Sequence, residues 1–137
     1  MTQPPAPQPS PKRALIELLG DKERYCAAHE AAALLFPGAA LGVVRCVLFA
    51  AGMPSPRFTE LGPFLAELVR MGWQVVPRAL GLPEPGDIWV ETNVVGRIPT
   101  RIGFVAKPNL GGTWFMKPDR ERMDVAAIDF VLRLPGT

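Results

Sequence analysis

The fold class is decided by the segment Gly72–Thr92, GWQVVPRALGLPEPGDIWVET, where the spacing of the apolar residues changes. Before this segment, apolar residues recur every three to four positions, as on one face of a helix. Within it, residues 74–76 form a predicted short strand, and residues 82–86 form a turn rich in proline and glycine. From Asp87 onward, β-branched and aromatic residues predominate, which is typical of strands. The sequence therefore predicts an α+β protein, with N-terminal helices on one face of a twisted antiparallel sheet.

Four helices are predicted before this segment, at residues 11–20, 21–36, 39–51 and about 58–71. Ser10 resembles an N-cap with proline at the first helical position, and Asp21 can cap the second helix. The third helix is predicted to be buried nearly all round, because only Arg45 interrupts its apolar surface. The second helix carries a predicted core stripe made of Tyr25, Ala28, Ala32 and Leu35.

Strands after the turn are predicted at residues 87–92, 102–106, 113–117 and 128–134. The charged run at residues 117–124 is nearly neutral overall, and we interpret it as a solvated loop. Residues 1–11 alternate proline with small or polar residues, which favours polyproline II conformation and prevents helix formation. We therefore expect a disordered tail over residues 1–11 and a single domain over residues 12–137.

Composition excludes several functional classes. The chain has 137 residues, with 15 Lys and Arg against 13 Asp and Glu, and these charges are interspersed. No basic patch of the kind that binds nucleic acid is evident, so we expect no nucleic-acid partner. The two cysteines and one histidine lack zinc-ligand spacing, and we expect neither a metal nor another cofactor.

The sequence also shows no pattern typical of a membrane span or of an export signal. The N-terminal residues do not show a signal-peptide pattern, and no run approaches the roughly 20 apolar residues that span a bilayer. We expect a soluble protein, cytoplasmic by default, without a membrane partner; export by a dedicated secretion system stays open. The sequence does not indicate an oligomeric state.

Several ordered motifs resemble the NlpC and CHAP group of papain-like cysteine peptidases and amidases, which cut bacterial cell-wall peptides. A buried helix ends in Ala51-Gly52 and is followed by an amphipathic helix leading to Gly72-Trp73. Residues 85–90, PGDIWV, are similar to the turn and strand that open the family's sheet. Residues 101–105, RIGFV, match a strand that begins His-x-Gly in the family, and residues 130–135, FVLRLP, resemble its closing strand. The resemblance covers about residues 41–135 and implies a papain-like fold in which the helix from Ala40 packs centrally against the strand from Asp87.

The resemblance also implies where a catalytic pair would stand. The family places a cysteine thiolate at a helix N-terminus, where the peptide dipoles favour negative charge, and a histidine beside it. Counting back from Ala51-Gly52, the nucleophile position falls on Ala40, and the histidine position falls on Arg101. Alanine has no nucleophile, and the arginine guanidinium does not accept a proton at any relevant pH. The resemblance therefore implies a domain without a catalytic dyad.

A second alignment puts Cys26 in the nucleophile position, because residues 26–38 have nearly the same internal spacing as the family's cysteine helix. This alternative places His29 and Glu30 where apolar residues are expected, and Arg101 still replaces the histidine. His29 lies one turn from Cys26 on the same predicted helix. Cys46 has apolar neighbours and is predicted to be a core residue without a reactive role.

Candidate binding residues lie near the cleft that the resemblance implies. Arg97 and Arg101 could pair with a carboxylate or phosphate there, or stand in solvent. Trp89 and Trp114, like Trp73, could stack on a ligand, or belong to the core. For Asp87 we expect a turn role, in which its carboxylate accepts hydrogen bonds from nearby backbone N–H groups.

These observations favour a catalytically inactive NlpC/CHAP-like domain that binds a peptide, a cell-wall fragment or a partner protein in the residual cleft. One alternative is an active cysteine peptidase or amidase that uses Cys26, whose alkylation would then be fast at pH 6. A second alternative is an unrelated α+β interaction module. In that case the helix from Ala39 to Ala51 would lie on the surface.

Overall fold

The structure is a computed structural model that describes residues 10–35, 40–57, 60–92, 99–109, 112–116 and 128–136. Its helical part contains four α-helices: α1 (Pro11–Gly20), α2 (Lys22–Leu35), α3 (Ala40–Ala50) and α4 (Leu61–Arg70). The strands are β1 (Gln74–Pro77), β2 (Ile88–Thr92), β3 (Pro99–Asn109), β4 (Gly112–Met116) and β5 (Phe130–Arg133), with a 3-10 turn at Arg78–Leu80 between β1 and β2. The prediction of helices first and strands afterwards, in an α+β fold, is confirmed.

Side-chain caps fix the starts of the first two helices. The Arg13 N–H donates to Ser10 Oγ at 3.2 Å, with proline at the first helical position of α1. The N–H groups of Glu23 and Arg24 donate to Asp21 Oδ1 at 3.1 and 3.2 Å. Both caps satisfy N–H groups that the helix itself leaves without acceptors, and both agree with the sequence prediction.

The described strands form one antiparallel sheet in the order β1-β5-β2-β3-β4. The last strand of the chain therefore lies between β1 and β2. β3 is much longer than the predicted strand at residues 102–106, and a register shift between Val105 and Lys107 marks an irregularity in its pairing with β4. This order brings residues that are distant in sequence, such as Asp87 and Arg133, onto neighbouring strands.

Alternation along the strands divides the sheet into two faces, each with its own apolar cluster. The larger cluster joins the helices to the sheet through Ile88, Val90, Ile102, Phe104 and Leu132, all at most 1% exposed. The smaller cluster lies on the opposite face and consists of Trp89, Val105, Ile128 and Val131. Both faces of β2 are therefore buried.

Helix α3 is part of the larger cluster. Leu41, Val44, Val47 and Leu48 are buried within it, and α3 packs against both α2 and β3. The helix from Ala40 is thus a core helix of the fold and does not lie on the surface. Its main partner in the sheet is β3, whereas the resemblance implied packing against the strand from Asp87. Among the described residues, no helix is long and apolar enough to cross a membrane.

Two details of helix burial were predicted wrongly. Leu35, assigned to the core stripe of α2, is 69% exposed, whereas Tyr25, Ala28 and Ala32 of the same stripe are buried. Phe49 of α3 is 82% exposed, so α3 is not buried all round. Both side chains border a surface groove described below.

The predicted tail at residues 1–9 and the charged run at residues 117–124 lie outside the described residues. The same holds for Phe58, where the fourth helix was predicted to begin; the described part of that helix begins at Leu61. Of the predicted tail, Ser10 and Pro11 are described, and they form the start of α1.

Candidate functional site

Ala40 and Arg101 stand at the positions where the NlpC/CHAP resemblance places the nucleophile and the histidine. Ala40 is the first residue of α3, and Arg101 lies near the start of β3. Their neighbours in sequence, Leu41 and Ile102, belong to the same core cluster, and α3 packs against β3. Arg101 and Ile102 are successive residues of β3, so their side chains point to opposite faces of the sheet, and Ile102 lies on the face that packs against the helices. The fold therefore places the Arg101 side chain on the face that points away from α3.

The Arg101 side chain is half exposed and lies beside Glu91 of β2. Glu91 and Arg101 are directly opposite in the antiparallel register, and Arg101 Nε is 3.8 Å from Glu91 Oε2. This distance is too long for a hydrogen bond, so the contact is a loose cross-strand ion pair. Such a pair contributes little to stability, and it leaves the guanidinium accessible to a ligand carboxylate or phosphate.

The other three predicted binding residues are Trp89, Trp114 and Arg97. Trp89 is fully buried in the smaller apolar cluster, so its ring has no free face and the predicted stacking role is wrong. The backbone of Trp114 lies in β4, and its side chain is outside the described part of the structure. Arg97 also lies outside the described residues. Trp73, which shared the stacking hypothesis, is 3% exposed and belongs to the larger cluster.

Cys26 does not occupy a helix N-terminus. It is the fifth residue of α2 and lies beyond the Glu23 and Arg24 N–H groups that Asp21 caps, so it does not hold the helix-start position that the second alignment requires. The ring of His29 packs at a tilt against Tyr25, with 6.3 Å between ring centroids. Its Nε2 atom is buried without a hydrogen-bond partner among the described residues. No thiol–imidazole pair of the kind that cysteine hydrolases need is formed in this part of the chain.

Cys46 is half-buried and packs against the larger cluster, as predicted. Burial raises the pKa of the Cys46 thiol, and the nearby positive charge of Arg45 opposes this shift only in part. A thiol with a raised pKa is protonated at neutral pH and is a weak nucleophile. Cys46 is therefore a structural residue.

Asp87 has the turn role predicted for it, and a second role that sequence reasoning missed. Its Oδ2 accepts the Glu84 N–H at 2.7 Å, which closes the turn. Arg133 of β5 donates from Nε to Asp87 Oδ1 at 3.0 Å and from Nη2 to Oδ2 at 2.9 Å. Arg133 also donates to the Leu82 carbonyl at 3.0 Å. This fork pairs a fully buried carboxylate with a mostly buried guanidinium, and it fixes the Pro-Gly-Asp turn to the closing strand.

A groove of about 760 Å³ lies on the helical side of the molecule, between α2 and α3. Its lining is mostly apolar and includes Ala27, Ala31, Phe49 and Met53, with Leu35 at its edge. Three arginines also line it: Arg24, Arg45 and Arg57. Sequence analysis missed this groove; the alanine-rich composition of α2 was the available signal, because small side chains leave space beside a helix.

Among the described residues, no group of three or more histidine, cysteine, aspartate or glutamate side chains is arranged to hold a metal ion. Comparison of the chain with known protein families, with curated proteins and with solved structures finds no match. The functional assignment therefore depends on the residues and geometry described above.

Proposed function

We propose that this chain is a catalytically inactive domain of the NlpC/CHAP type that binds an extended peptide, a cell-wall fragment or a partner protein. The binding site is the surface of the sheet around Arg101 on β3, where the resemblance implies the residual cleft. The proposal is supported by the residues at the two positions where the resemblance implies a nucleophile and a histidine: alanine at the start of a core helix and arginine on β3.

The chemistry of the remaining residues supports binding over hydrolysis. Arg101 is a permanent cation that offers several N–H donors in a planar fork, which suits a carboxylate. Its loose ion pair with Glu91 holds the side chain near the sheet without occupying all of those donors. Neither cysteine has the surroundings that activate a thiol: Cys26 lies past the first turn of α2, and burial raises the pKa of Cys46.

Absence of hydrolysis is tested with the wild-type protein and a cell-wall stem peptide. We expect no cleavage, and slow alkylation of both cysteines at pH 6 as followed by mass spectrometry. Cleavage that disappears in Cys26→Ser, together with fast alkylation of Cys26 at pH 6, would establish the alternative, an active cysteine hydrolase.

Binding is tested by calorimetric titration of the same stem peptide into the wild-type protein and into Arg101→Gln. We expect Arg101→Gln to weaken binding about tenfold, equivalent to about 1.4 kcal/mol. Arg70→Gln is the matched control, because Arg70 also forms an exposed ion pair with a glutamate, Glu67, at 3.1 Å on α4. Equal affinity of all three proteins, or no binding at all, would favour an unrelated interaction module.

A further inference from the structure

The groove between α2 and α3 is a second surface, separate from the cleft at Arg101. Its described lining residues come from α2, α3 and residues 53–57, and none comes from the sheet. We propose that this groove binds an amphipathic helix of a partner protein, whose apolar face is flanked by aspartate or glutamate residues. The inference is independent of the function proposed for the Arg101 cleft.

The size and shape of the groove fit a short helix. Arg24 and Leu35, which both line the groove, are eleven residues apart on α2, a distance of about 16 Å along the helix axis. About three turns of a partner helix cover this length. Ala27, Ala31 and Ala50 present small side chains, so a second helix can approach closely enough to place its apolar residues between α2 and α3.

The exposed apolar residues at the edges need an occupant that covers both sides of the groove. Leu35 is 69% exposed and Phe49 is 82% exposed. Leu35 belongs to α2 and Phe49 to α3, so an occupant that lies between these helices covers apolar side chains of both. Large exposed apolar side chains that are grouped around one groove are typical of a protein interaction site.

The charges that line the groove favour one kind of partner helix. Three arginines line the groove, and none of its described lining residues is acidic. Arg24 and Arg57 form no ion pair with another residue in the described ranges. An occupant with carboxylates beside its apolar face is therefore favoured, and an occupant with lysines there is disfavoured.

The same charges argue against the N-terminal residues 1–9 and against a second copy of the chain as occupants. Residues 1–9, MTQPPAPQP, contain no acidic residue, and their prolines prevent a helix. A second copy docked through the same groove about a two-fold axis would bring like arginine clusters together, which is repulsive.

The test uses two synthetic peptides of 14 residues, each with leucines at helical spacing, one with glutamates beside the leucines and the other with lysines at those positions. Binding of each fluorescently labelled peptide to the full chain is measured by anisotropy at low and high salt. We expect the glutamate peptide to bind at least tenfold more tightly than the lysine peptide, and its affinity to fall as salt increases.

Arg24→Glu and Arg13→Glu are a matched pair of variants. Each replaces an exposed arginine at the third position of a helix, where the N–H donates to the cap side chain, so both leave capping intact. Only Arg24 lines the groove. We expect Arg24→Glu to weaken binding of the glutamate peptide at least fivefold and Arg13→Glu to leave the affinity of this peptide unchanged.

Ala27→Trp, which fills the groove from an exposed position, should abolish binding while circular dichroism shows a folded protein.

Four outcomes would overturn the proposal. Equal binding of both peptides would show apolar adhesion without charge recognition, and no binding up to 1 mM would exclude a helix site. Displacement of the glutamate peptide by a synthetic peptide of residues 1–9 would assign the groove to the chain's own tail. A dimer in sedimentation that becomes a monomer in Arg24→Glu would assign it to a second copy.

Discussion

Arg133, in the strand nearest the C-terminus, holds the buried carboxylate of Asp87 through hydrogen bonds of 3.0 and 2.9 Å from Nε and Nη2. The two residues are 46 positions apart in sequence, and they meet because β5 lies beside β2 in the sheet. Asp87 has no exposed surface, so Arg133 is the cation that compensates a charge removed from water. The hydrogen bonds of Asp87 raise the pKa of Arg133 above its ordinary value, so the guanidinium is charged throughout the accessible pH range.

The first prediction concerns this pair. Arg133→Met should lower the free energy of unfolding by about 3–5 kcal/mol, because it leaves the charge of the Asp87 carboxylate buried without a cation beside it. Arg133→Met combined with Asp87→Asn should lower it by less than Arg133→Met alone, since the neutral amide keeps an oxygen for the Glu84 N–H. Urea denaturation of the variants and of Asp87→Asn gives the coupling energy. A loss below about 1 kcal/mol in Arg133→Met would contradict the role assigned to the pair.

A second prediction follows from the approach of α1 to the turn before β2. Gly86 has a φ of +90°, and a Cβ atom there would lie 2.9 Å from Ile16 Cγ1. Gly86→Ala should therefore cost about 1–2 kcal/mol of backbone strain and a further loss from this collision. Gly52→Ala is the matched control, because Gly52 has a φ of +76° with no other atom within 4 Å of the added Cβ.

The comparison of these two glycine variants isolates the packing contribution. We expect thermal and urea unfolding to show a larger loss in Gly86→Ala than in Gly52→Ala. In an Ile16→Ala background the additional loss in Gly86→Ala should shrink, because the colliding side chain is gone. Equal losses in both glycine variants would show that α1 moves away from the turn at no cost.

Local signals in the sequence predicted most elements of this fold. Ser10-Pro11 and Asp21 mark helix starts because the two cap side chains and the proline ring affect the backbone within one turn of the chain. The structure confirms both helix starts. The change of apolar spacing after Trp73 correctly separated helices from strands. Strand order and the length of β3 were not predictable, because they depend on pairing between segments distant in sequence.

Candidate site residues were harder to predict, for a related reason. Trp89 alternates with Ile88 and Val90 on β2, and whether its face is covered depends on Ile128 and Val131, about 40 residues away. The partner of Asp87 was missed in the same way, although Arg133 stands out as the charged residue of the apolar segment 130–134. The groove was missed because Leu35 and Phe49 are apolar, and periodicity alone assigns apolar residues to the core.

A third prediction concerns pH and Cys46. Because burial raises the pKa of its thiol, the folded protein holds this proton more tightly than the unfolded chain. The resulting stabilisation is fully present below the unfolded pKa of about 8.5 and is lost as pH rises through the folded pKa. The difference in free energy of unfolding between the wild type and Cys46→Ala should be constant from pH 6 to about 8 and should decrease at higher pH. A difference that stays constant at high pH would show that the thiol is not desolvated.

The last prediction tests whether the start of α3 and the start of β3 form the cleft of a papain-like protein. In Ala40→Cys the new thiol stands at the first residue of an 11-residue helix, where the helix dipole lowers a thiol pKa. Its alkylation at pH 6.5 should be at least tenfold faster than that of Cys46, which serves as the internal control. Adding Arg101→His should leave the pH profile of this alkylation unchanged, because residue 101 faces away from α3 and an imidazole there, which titrates near pH 6.5, does not reach the thiol. The same Arg101→His substitution should leave the alkylation of Cys46 unchanged. A pH profile that changes with Arg101→His would contradict this face assignment and show that the two positions meet in a cleft, whereas a slow thiol at residue 40 would reject the resemblance at the helix start itself.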